Sequence, residues 1–405
     1  MISVEEALSR LLAPLEMLPP EQISIAEGVG RVLAEDVASR RTQPPFAVSA
    51  MDGYAVRAED VATVPVELRI VAEVPAGAGF GGHVGPGETA RIFTGAPLPA
   101  GTDAIVIQED TERQGSRVRI LEGVPRGRYV RREGLDFSEG DVLLHAGRRL
   151  TARDIGLLAA MNRPWLYVHR RPRVGILSTG DEIVMPGDPI GPHQIVSSNS
   201  LALAAFVTAC GGTPVSVGNA PDDPEALRQI AAATRGVDLL VTTGGASVGE
   251  HDLVRDALAA DGLELDFWQI AMRPGKPLMV GSYRGKPMIG LPGNPVSTLV
   301  CALLFLQPAL ERMSGVAAPT TEAAPTARLG VPLAKNDRRQ DYLRSRLSRA
   351  ADGTLEVYPF EVQDSSMMRL LAAADCLVVR PPLAPAAAAD TQVPIVPFPA
   401  GALSI

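Results

Sequence analysis

The sequence predicts a multidomain α/β plus β protein: a central, doubly wound, mostly parallel α/β domain joined by a split helical domain, a β insertion and a C-terminal β barrel. Three observations carry this prediction. The chain has 405 residues, too many for one compact core at about 100–200 residues per domain. Apolar runs alternate with helical patterns between about 171 and 316, the rhythm of β-α-β units with helices on both sheet faces. The stretches 42–135 and 327–405 instead carry short β-type runs between closely spaced Gly and Pro residues.

Taken in order, Ser3 and Glu6 form a Ser-x-x-Glu capping box ahead of an apolar helical pattern reaching about residue 17. A second helix is predicted from Thr151, with Asp154 three residues later and an apolar face of Ile155, Leu158 and Ala159. If both pieces pack together, residues 1–41 and 133–170 are one domain interrupted by a β insertion over 42–132, with strands near 66–73, 90–93, 104–108 and 117–121. The α/β domain, 171–316, has strands near 173–177, 214–217, 237–242 and 264–271, and helices near 200–210, 224–234, 252–260 and 295–313. Segments 277–282 and 286–291 meet at Arg284-Gly285 as a hairpin that restores the strand direction. An Ala/Pro/Thr linker (315–326) leads into the C-terminal domain, 317–405, with strands near 342–348, 354–360, 376–380 and 393–398.

Composition narrows the function classes. Hydrophobic residues are 46%, charged residues 21% and mean hydropathy is +0.12, values of a folded globular chain. A formal net charge of −8 opposes binding to a nucleic-acid backbone. Cys210, Cys301 and Cys376 are widely spaced in apolar runs, which supports neither a disulfide framework nor a thiolate metal site. The acidic start MISVEEALSR is unlike a signal peptide, and no stretch approaches eighteen uninterrupted apolar residues. A cytoplasmic protein without a membrane partner is expected. Only Lys276, Lys286 and Lys335 are lysines among 38 cationic residues, so arginine stands at nearly every cationic position.

The chemistry concentrates in five polar, Gly-rich loops that follow successive α/β strands: STGDE (178–182), NAPDD (219–223), TTGGASVGEHD (242–252), MRPGKP (272–277) and GLPGNP (290–295). In an open parallel sheet such loops share one edge, where loop amides and helix N-termini receive ligands. Gly244, Gly245 and Gly249 let amides approach an oxyanion that Arg273 and Lys276 can neutralise. Asp181, Glu182, Asp222, Asp223, Glu250 and Asp252 offer only oxygen ligands. That donor set favours Mg²⁺ over zinc.

Plainer readings stand beside these. Asp222 and Asp223 precede Pro224, so each fits a helix cap as well as a ligand. Asn294-Pro295 and Asp252 invite the same alternative, and Gly290 and Gly293 fit a turn. In the β insertion Asp52-Gly53 fits a hairpin turn and Thr94-Gly95 a loop. Gly77–Gly82 matches GxGxxG but is followed by a β run rather than a helix, so it fails as a dinucleotide fingerprint. Arginines 126, 128, 131 and 132 fit an anion patch or an exposed charged face. The five histidines lack metal-ligand spacing.

The ordered set SAMDGYA (49–55), RIFTGAP (91–97), STGDEIV, TTGGASVGEHD, RPGKP and GLPGNPVS resembles the molybdopterin molybdenumtransferase family, which includes the C-terminal catalytic region of gephyrin. The likeness covers essentially the whole chain. It implies the four-part fold above, an elongated homodimer with the site at the subunit boundary, and insertion of molybdenum from molybdate into adenylylated molybdopterin with Mg²⁺, releasing AMP. It implies catalytic roles for Asp52, Thr94, Asp136, Glu182, Asp222, Asp252 and Lys276, with Glu182, Asp222 and Asp252 also holding metal. Substrate contacts are implied for Ser178, Thr179, Gly180, Asp181, Gly244, Gly245, Ser247, Gly249, Arg273, Pro292, Pro295, Arg344 and Ser365.

The chain departs from the family pattern at Gln269 and Arg273, where lysine is common, and in QDSSMMRLL (363–371), where Gln-Gly-Ser is more usual. Two further classes compete. A related adenylyltransferase carries Gly-Gly-Thr-Gly where this chain has Gly244-Gly245-Ala246-Ser247 and lacks the other domains; a pterin carrier or scaffold would bind without turnover.

Overall fold

The computed structural model describes residues 1–232, 234, 236–244, 253–317 and 325–398. Helix α1 (Val4–Leu12) starts on Ser3, whose hydroxyl accepts the Glu6 amide at 3.1 Å. It ends before the expected residue 17 because Pro14 lacks an amide proton and disfavours a helical residue before it. Helix α2 (Ala152–Ala160) is capped as expected, Asp154 accepting the Thr151 amide at 2.8 Å. The two helices have different cores: Ala7 and Leu11 join Val174 and Leu239 of the α/β domain, while Leu158 packs with Leu33, Leu150 and Val168. Strands close the divided unit. Pro20–Ser24 pairs with Trp165–His169, and Val37–Ala38 with Val142–Leu144, across the whole insertion.

The insertion is a six-stranded sheet in the order Ala104–Ile107, Gly53–Val56, Glu88–Ile92, Val66–Val74, Arg117–Ile120, Thr111–Gln114. Gly53 begins a strand where a turn was the simpler reading, and a Cβ there would run into the Val106 carbonyl.

In the α/β domain the strands are β1 (Arg173–Thr179), β2 (Thr213–Ala220), β3 (Leu239–Thr243), β4 (Leu263–Phe267), β5 (Met279–Tyr283) and β6 (Lys286–Leu291). Their order is β2-β1-β3-β6-β5-β4, with β1, β2, β3 and β6 parallel. The β5–β6 hairpin turns at Arg284 and Gly285, both at positive φ (51° and 75°), as a two-residue primed turn requires. Helices α3 (Asn199–Ala209), α4 (Pro224–Ala232) and α5 (Leu253–Ala259) follow β1, β2 and β3. Alternate strand residues feed two cores: Val174 and Ile176 pack with α3, and Leu177 packs with α4 and α5. The sheet is therefore covered on both faces.

Helix α6 (Pro295–Met313) is 19 residues long with mean hydropathy 1.3. Its apolar side chains are core: Val296, Val300, Phe305 and Leu310 are buried with β1, β3 and α1. Pro308 cannot donate to residue 304 and its ring crowds that carbonyl, which explains the widened π turn over Ala302–Leu306.

The C-terminal strands close into a five-stranded barrel: Gln340–Arg349 pairs with Leu355–Pro359 on one side and Cys376–Arg380 on the other, with Thr326–Leu329 and Gln392–Pro397 completing the ring. Tyr342 and Leu377 point out of the barrel into the α/β core. Met272–Arg273 pairs in parallel with Gln340–Asp341, so the MRPGKP loop is tied to the barrel by backbone.

Candidate functional site

A cavity of about 680 Å³ opens where β1, β3 and β6 end and α3 and α6 begin, lined by Ser178, Thr179, Glu182, Asn199, Thr243, Gly244, Pro292, Asn294, Pro295 and Ser366 among others. Its location follows from topology, since parallel strands all deliver their carboxyl ends to this edge.

The strand ends supply hydroxyls. Ser178 Oγ and Thr179 Oγ1 line the cavity, Thr242 Oγ1 lies beside Gly290 and does not, and all three are buried with no hydrogen-bond partner among the described residues. Buried polar groups are ordinarily paired, so the Ser178 and Thr179 hydroxyls offer the cavity donors and acceptors that the protein itself does not use. The backbone around them is tightly fixed. Gly244 sits at φ +91°, and a Cβ there would lie 2.5 Å from the Thr179 carbonyl oxygen. Gly180 sits at φ +131° with the Glu182 carboxylate folded over it. Asn199 donates to Thr243 Oγ1 (2.9 Å) and the Gly293 carbonyl (2.7 Å), which locks the start of α3 to two strand-end loops. The Pro292 carbonyl accepts from Thr243 (3.3 Å) and Thr298 (2.5 Å), and Pro295 occupies the first turn of α6.

The acids divide into structural and free. Asp223 Oδ1 accepts the Ala226 amide at 2.7 Å, so the cap of α4 is Asp223. Asp222 gives only its backbone amide, to Asp181 Oδ1 at 3.1 Å, and its carboxylate has no partner among the described residues. Asp181, Glu182 and Asp222 are exposed. As hard oxygen donors they suit Mg²⁺, but no three acidic, His or Cys side chains among the described residues are grouped to hold a metal. That fits an ion taking one or two carboxylates and completing its shell with phosphate oxygens and water.

The cations divide likewise. Arg273 forms a bidentate pair with buried Asp341 and approaches Asp337 at 3.6 Å. Its charge is balanced by acids of the barrel, so the sequence reading of Arg273 as an anion-neutralising cation left out this pairing. Lys276, half-buried, has no carboxylate partner among the described residues. Arg344 is 0% exposed, and none of its three guanidinium nitrogens has a partner; burial pushes its pKa down. A buried cation without an ion-pair partner among the described residues is costly, and an oxyanion bound at the guanidinium would offset that cost.

Ser365 is structural at two atoms: its Oγ accepts from Asn294 at 3.0 Å and its carbonyl accepts the Val296 amide at 3.1 Å. Asp52 and Thr94 stand together in the insertion, Asp52 Oδ1 accepting the Thr94 amide (2.7 Å) and hydroxyl (2.8 Å). Those bonds hold the Asp52 carboxyl below its ordinary range. Asp136 lines a separate cavity of about 710 Å³ with Arg41, Phe46 and Arg131. None of Asp52, Thr94 and Asp136 lines the α/β cavity. Gly245, Ser247, Gly249 and Asp252, with Glu250 and His251, lie outside the described residues.

Thr242, behind the cavity, and Asn199 and Ser366, in its lining, were not anticipated as site residues. The first has a sequence signal, the Thr-Thr-Gly ending of an apolar run; Asn199 and Ser366 act through contacts between distant segments.

Geometry thus defines an α/β ligand-binding protein whose cavity offers hydroxyls, side-chain amides and the Glu182 carboxylate to a polar ligand, while Asp181, Asp222, Lys276 and Arg344 are not among its lining residues. Three family models match in succession: the MoeA N-terminal region (domain I and II) over residues 2–162, a probable molybdopterin binding domain over 175–312, and the MoeA C-terminal region (domain IV) over 326–398. A molybdopterin molybdenumtransferase from Nostoc sp. is 41% identical over 337 residues, 81% of this chain and 77% of that protein. Molybdopterin molybdenumtransferase 2 of Mycobacterium tuberculosis is 35% identical over 98% of this chain and 99% of that one. The crystal structure of the molybdopterin biosynthesis MoeA protein from Pyrococcus horikoshii superposes with a TM-score of 0.81 at 32% identity, covering 99% of this chain and 100% of that chain. The chain belongs to the MoeA, or molybdopterin molybdenumtransferase, family.

Proposed function

We propose that this protein is a transferase that inserts molybdenum into molybdopterin, with adenylylated molybdopterin and molybdate as substrates and AMP as a product. The observation that carries the reading is the pair of unpartnered hydroxyls of Ser178 and Thr179 in the cavity at the strand ends, inside the segment matched by a molybdopterin-binding domain. In this reading they hold phosphate oxygens of the pterin substrate, with the N-terminus of the 19-residue α6 adding a favourable dipole.

Lys276 and Arg344 neutralise the oxyanion, Lys276 as a compact point charge and Arg344 through its unspent guanidinium. One or two carboxylates from Asp181, Glu182 and Asp222, with Asp252 as a further expected ligand, would hold Mg²⁺, which when bound would neutralise the phosphoanhydride oxygens and ease departure of AMP. Donors already in place before reaction need no reorganisation as charge develops.

The site is completed by a second copy of the chain. Asp52, Thr94 and Asp136 do not line the α/β cavity, so a homodimer that brings one copy's insertion to the other's cavity supports their catalytic roles. The test is to incubate purified protein with adenylylated molybdopterin, molybdate and Mg²⁺ and follow AMP. Release that requires both molybdate and Mg²⁺ is expected. Pterin binding with no such AMP release would overturn the enzyme reading in favour of a carrier.

A further inference from the structure

A further cavity, of about 560 Å³, opens at one mouth of the C-terminal barrel and shares no lining residue with the cavity of the α/β domain. Strand register builds it. Val378 is buried in the barrel core opposite Leu343, which packs on that core; two residues along the same face of each strand, Arg380 stands opposite Asp341. Arg380 is 6% exposed, yet it has no carboxylate partner among the described residues. The acid opposite is already taken, since both Asp341 oxygens are held by Arg273. Arg380 uses only Nη2, which donates to the carbonyls of Ala334 (3.2 Å) and Pro385. Its Nε and Nη1 have no partner among the described residues and, unlike the nitrogens of Arg344, are not sealed from solvent. A nearly buried cation in this state is costly until an anion reaches it.

We propose that the barrel mouth is a binding site, distinct from the α/β cavity, for a small organic monoanion: a carboxylate carried on an apolar or aromatic body. Barrel mouths are recurrent ligand positions, and this one supplies both halves of such a ligand's complement. Leu333, Leu343, Tyr358 and Phe360 give it an apolar and aromatic wall, and Arg380 and Lys335 give it cations. Lys335 is exposed and has no carboxylate partner among the described residues. Charge fixes the valence of the ligand. Three cationic side chains (Arg273, Lys335, Arg380) and two acidic ones (Asp341, Glu361) line the mouth, a formal excess of one positive charge. A monoanion neutralises that excess, whereas a dianion overshoots it beside two carboxylates. The carboxylate accepts charge-assisted hydrogen bonds from Arg380 and Lys335, and the body of the ligand covers the aromatic wall.

The probe is benzoate, titrated into the intact protein and followed by calorimetry, with benzamide as its neutral counterpart and phenyl phosphate as the dianion. Benzoate is expected to bind saturably, and benzamide about tenfold more weakly for want of a charge-assisted contact. Arg380→Gln is expected to lose about tenfold in benzoate affinity, and Lys335→Gln, at an exposed cation, about twofold to fivefold. Val331→Trp fills the mouth from an exposed position in its lining and is expected to abolish binding, which keeps the test decisive should Arg380→Gln not fold. Thr179→Val, in the α/β cavity, is expected to bind benzoate as the wild type does.

Absence of benzoate binding, or benzamide binding as tightly as benzoate, overturns the proposal. So does benzoate binding that survives Val331→Trp. A loss in Thr179→Val places the anion in the α/β cavity and overturns the barrel site, and phenyl phosphate binding more tightly than benzoate overturns the monoanion assignment. The transferase reading is decided separately, by AMP release, and stands or falls without this site.

Discussion

The rim of the α/β domain and the β insertion treat their polar groups in opposite ways. At the rim Ser178 and Thr179, and behind them Thr242, are buried without partners among the described residues. In the insertion buried Thr89 donates to the Ala55 carbonyl at 2.8 Å, and Asp52 and Thr94 satisfy each other. No buried side-chain atom of the described residues before Arg173 lacks a partner. Both regions carry family motifs, yet one is built with vacant hydrogen-bonding capacity and the other is complete in itself. The difference teaches that the rim keeps polar capacity unused by the protein itself, whereas the insertion satisfies its polar groups internally.

The contrast is broken most severely through backbone. Gly244→Ala puts a Cβ against the Thr179 carbonyl at positive φ, and the strained position alone costs about 1–3 kcal/mol. AMP release is expected to fall by roughly 100-fold, since a displacement of about 1 Å in a reacting site has that effect. Gly77→Ala in the insertion also forces a residue to positive φ but meets nothing within 4 Å, so turnover should stay within about threefold while thermal stability drops slightly. Equal loss of AMP release in both variants would show that strain, rather than the rim's close packing, governs the effect.

Side-chain hydroxyls give a smaller effect with a sign that differs between the regions. Thr179→Val and Thr242→Val remove buried hydroxyls that have no partner, so each should raise the unfolding free energy by about 1 kcal/mol. Thr179→Val should also weaken molybdopterin binding about tenfold, the cost of one hydrogen bond to a charged group, whereas Thr242→Val, at a residue that does not line the cavity, should leave binding unchanged. Thr89→Val removes a hydroxyl that is paired and should lower stability by about 1 kcal/mol while leaving binding unchanged. Denaturant unfolding and pterin titration of the three proteins decide the matter; a stability loss in the Thr179 and Thr242 variants would show that those hydroxyls are satisfied after all.

How much of this was readable in the sequence depended on whether the signal was local. The alternation of strand and helix over 171–316 and the Arg284-Gly285 hairpin emerge from period and turn chemistry, which depend on neighbours in the chain. The polar loops were readable as a rim because parallel topology places every strand's carboxyl end together. What was not readable involved pairings between distant segments. Nothing near Arg273 says that Asp341, 68 residues away, consumes its charge, and nothing near Asp222 says that Asp223 alone caps α4. The division of α1 and α2 between two cores also escaped local reading, because each is amphipathic in the same way and only the tertiary partners differ.

The gentlest test of the comparison is the ionisation of Asp52. Its carboxyl lies below the ordinary value of 3.8 because the Thr94 amide and hydroxyl donate to it, with Arg91 adding a favourable field. A depressed folded-state pKa contributes stability that is present above the unfolded value and is lost as pH falls through the folded one. The contribution of Asp52 is therefore intact at neutral pH and disappears only below about pH 4. Thr94→Val removes one of the two donors and should move the Asp52 titration upward, part of the way to the ordinary value, as followed by carbon-detected carboxyl NMR on the free protein. An Asp52 that titrates normally in the wild type would mean the pair forms only when substrate or a second copy arrives, and the insertion would then resemble the rim in waiting for its partner.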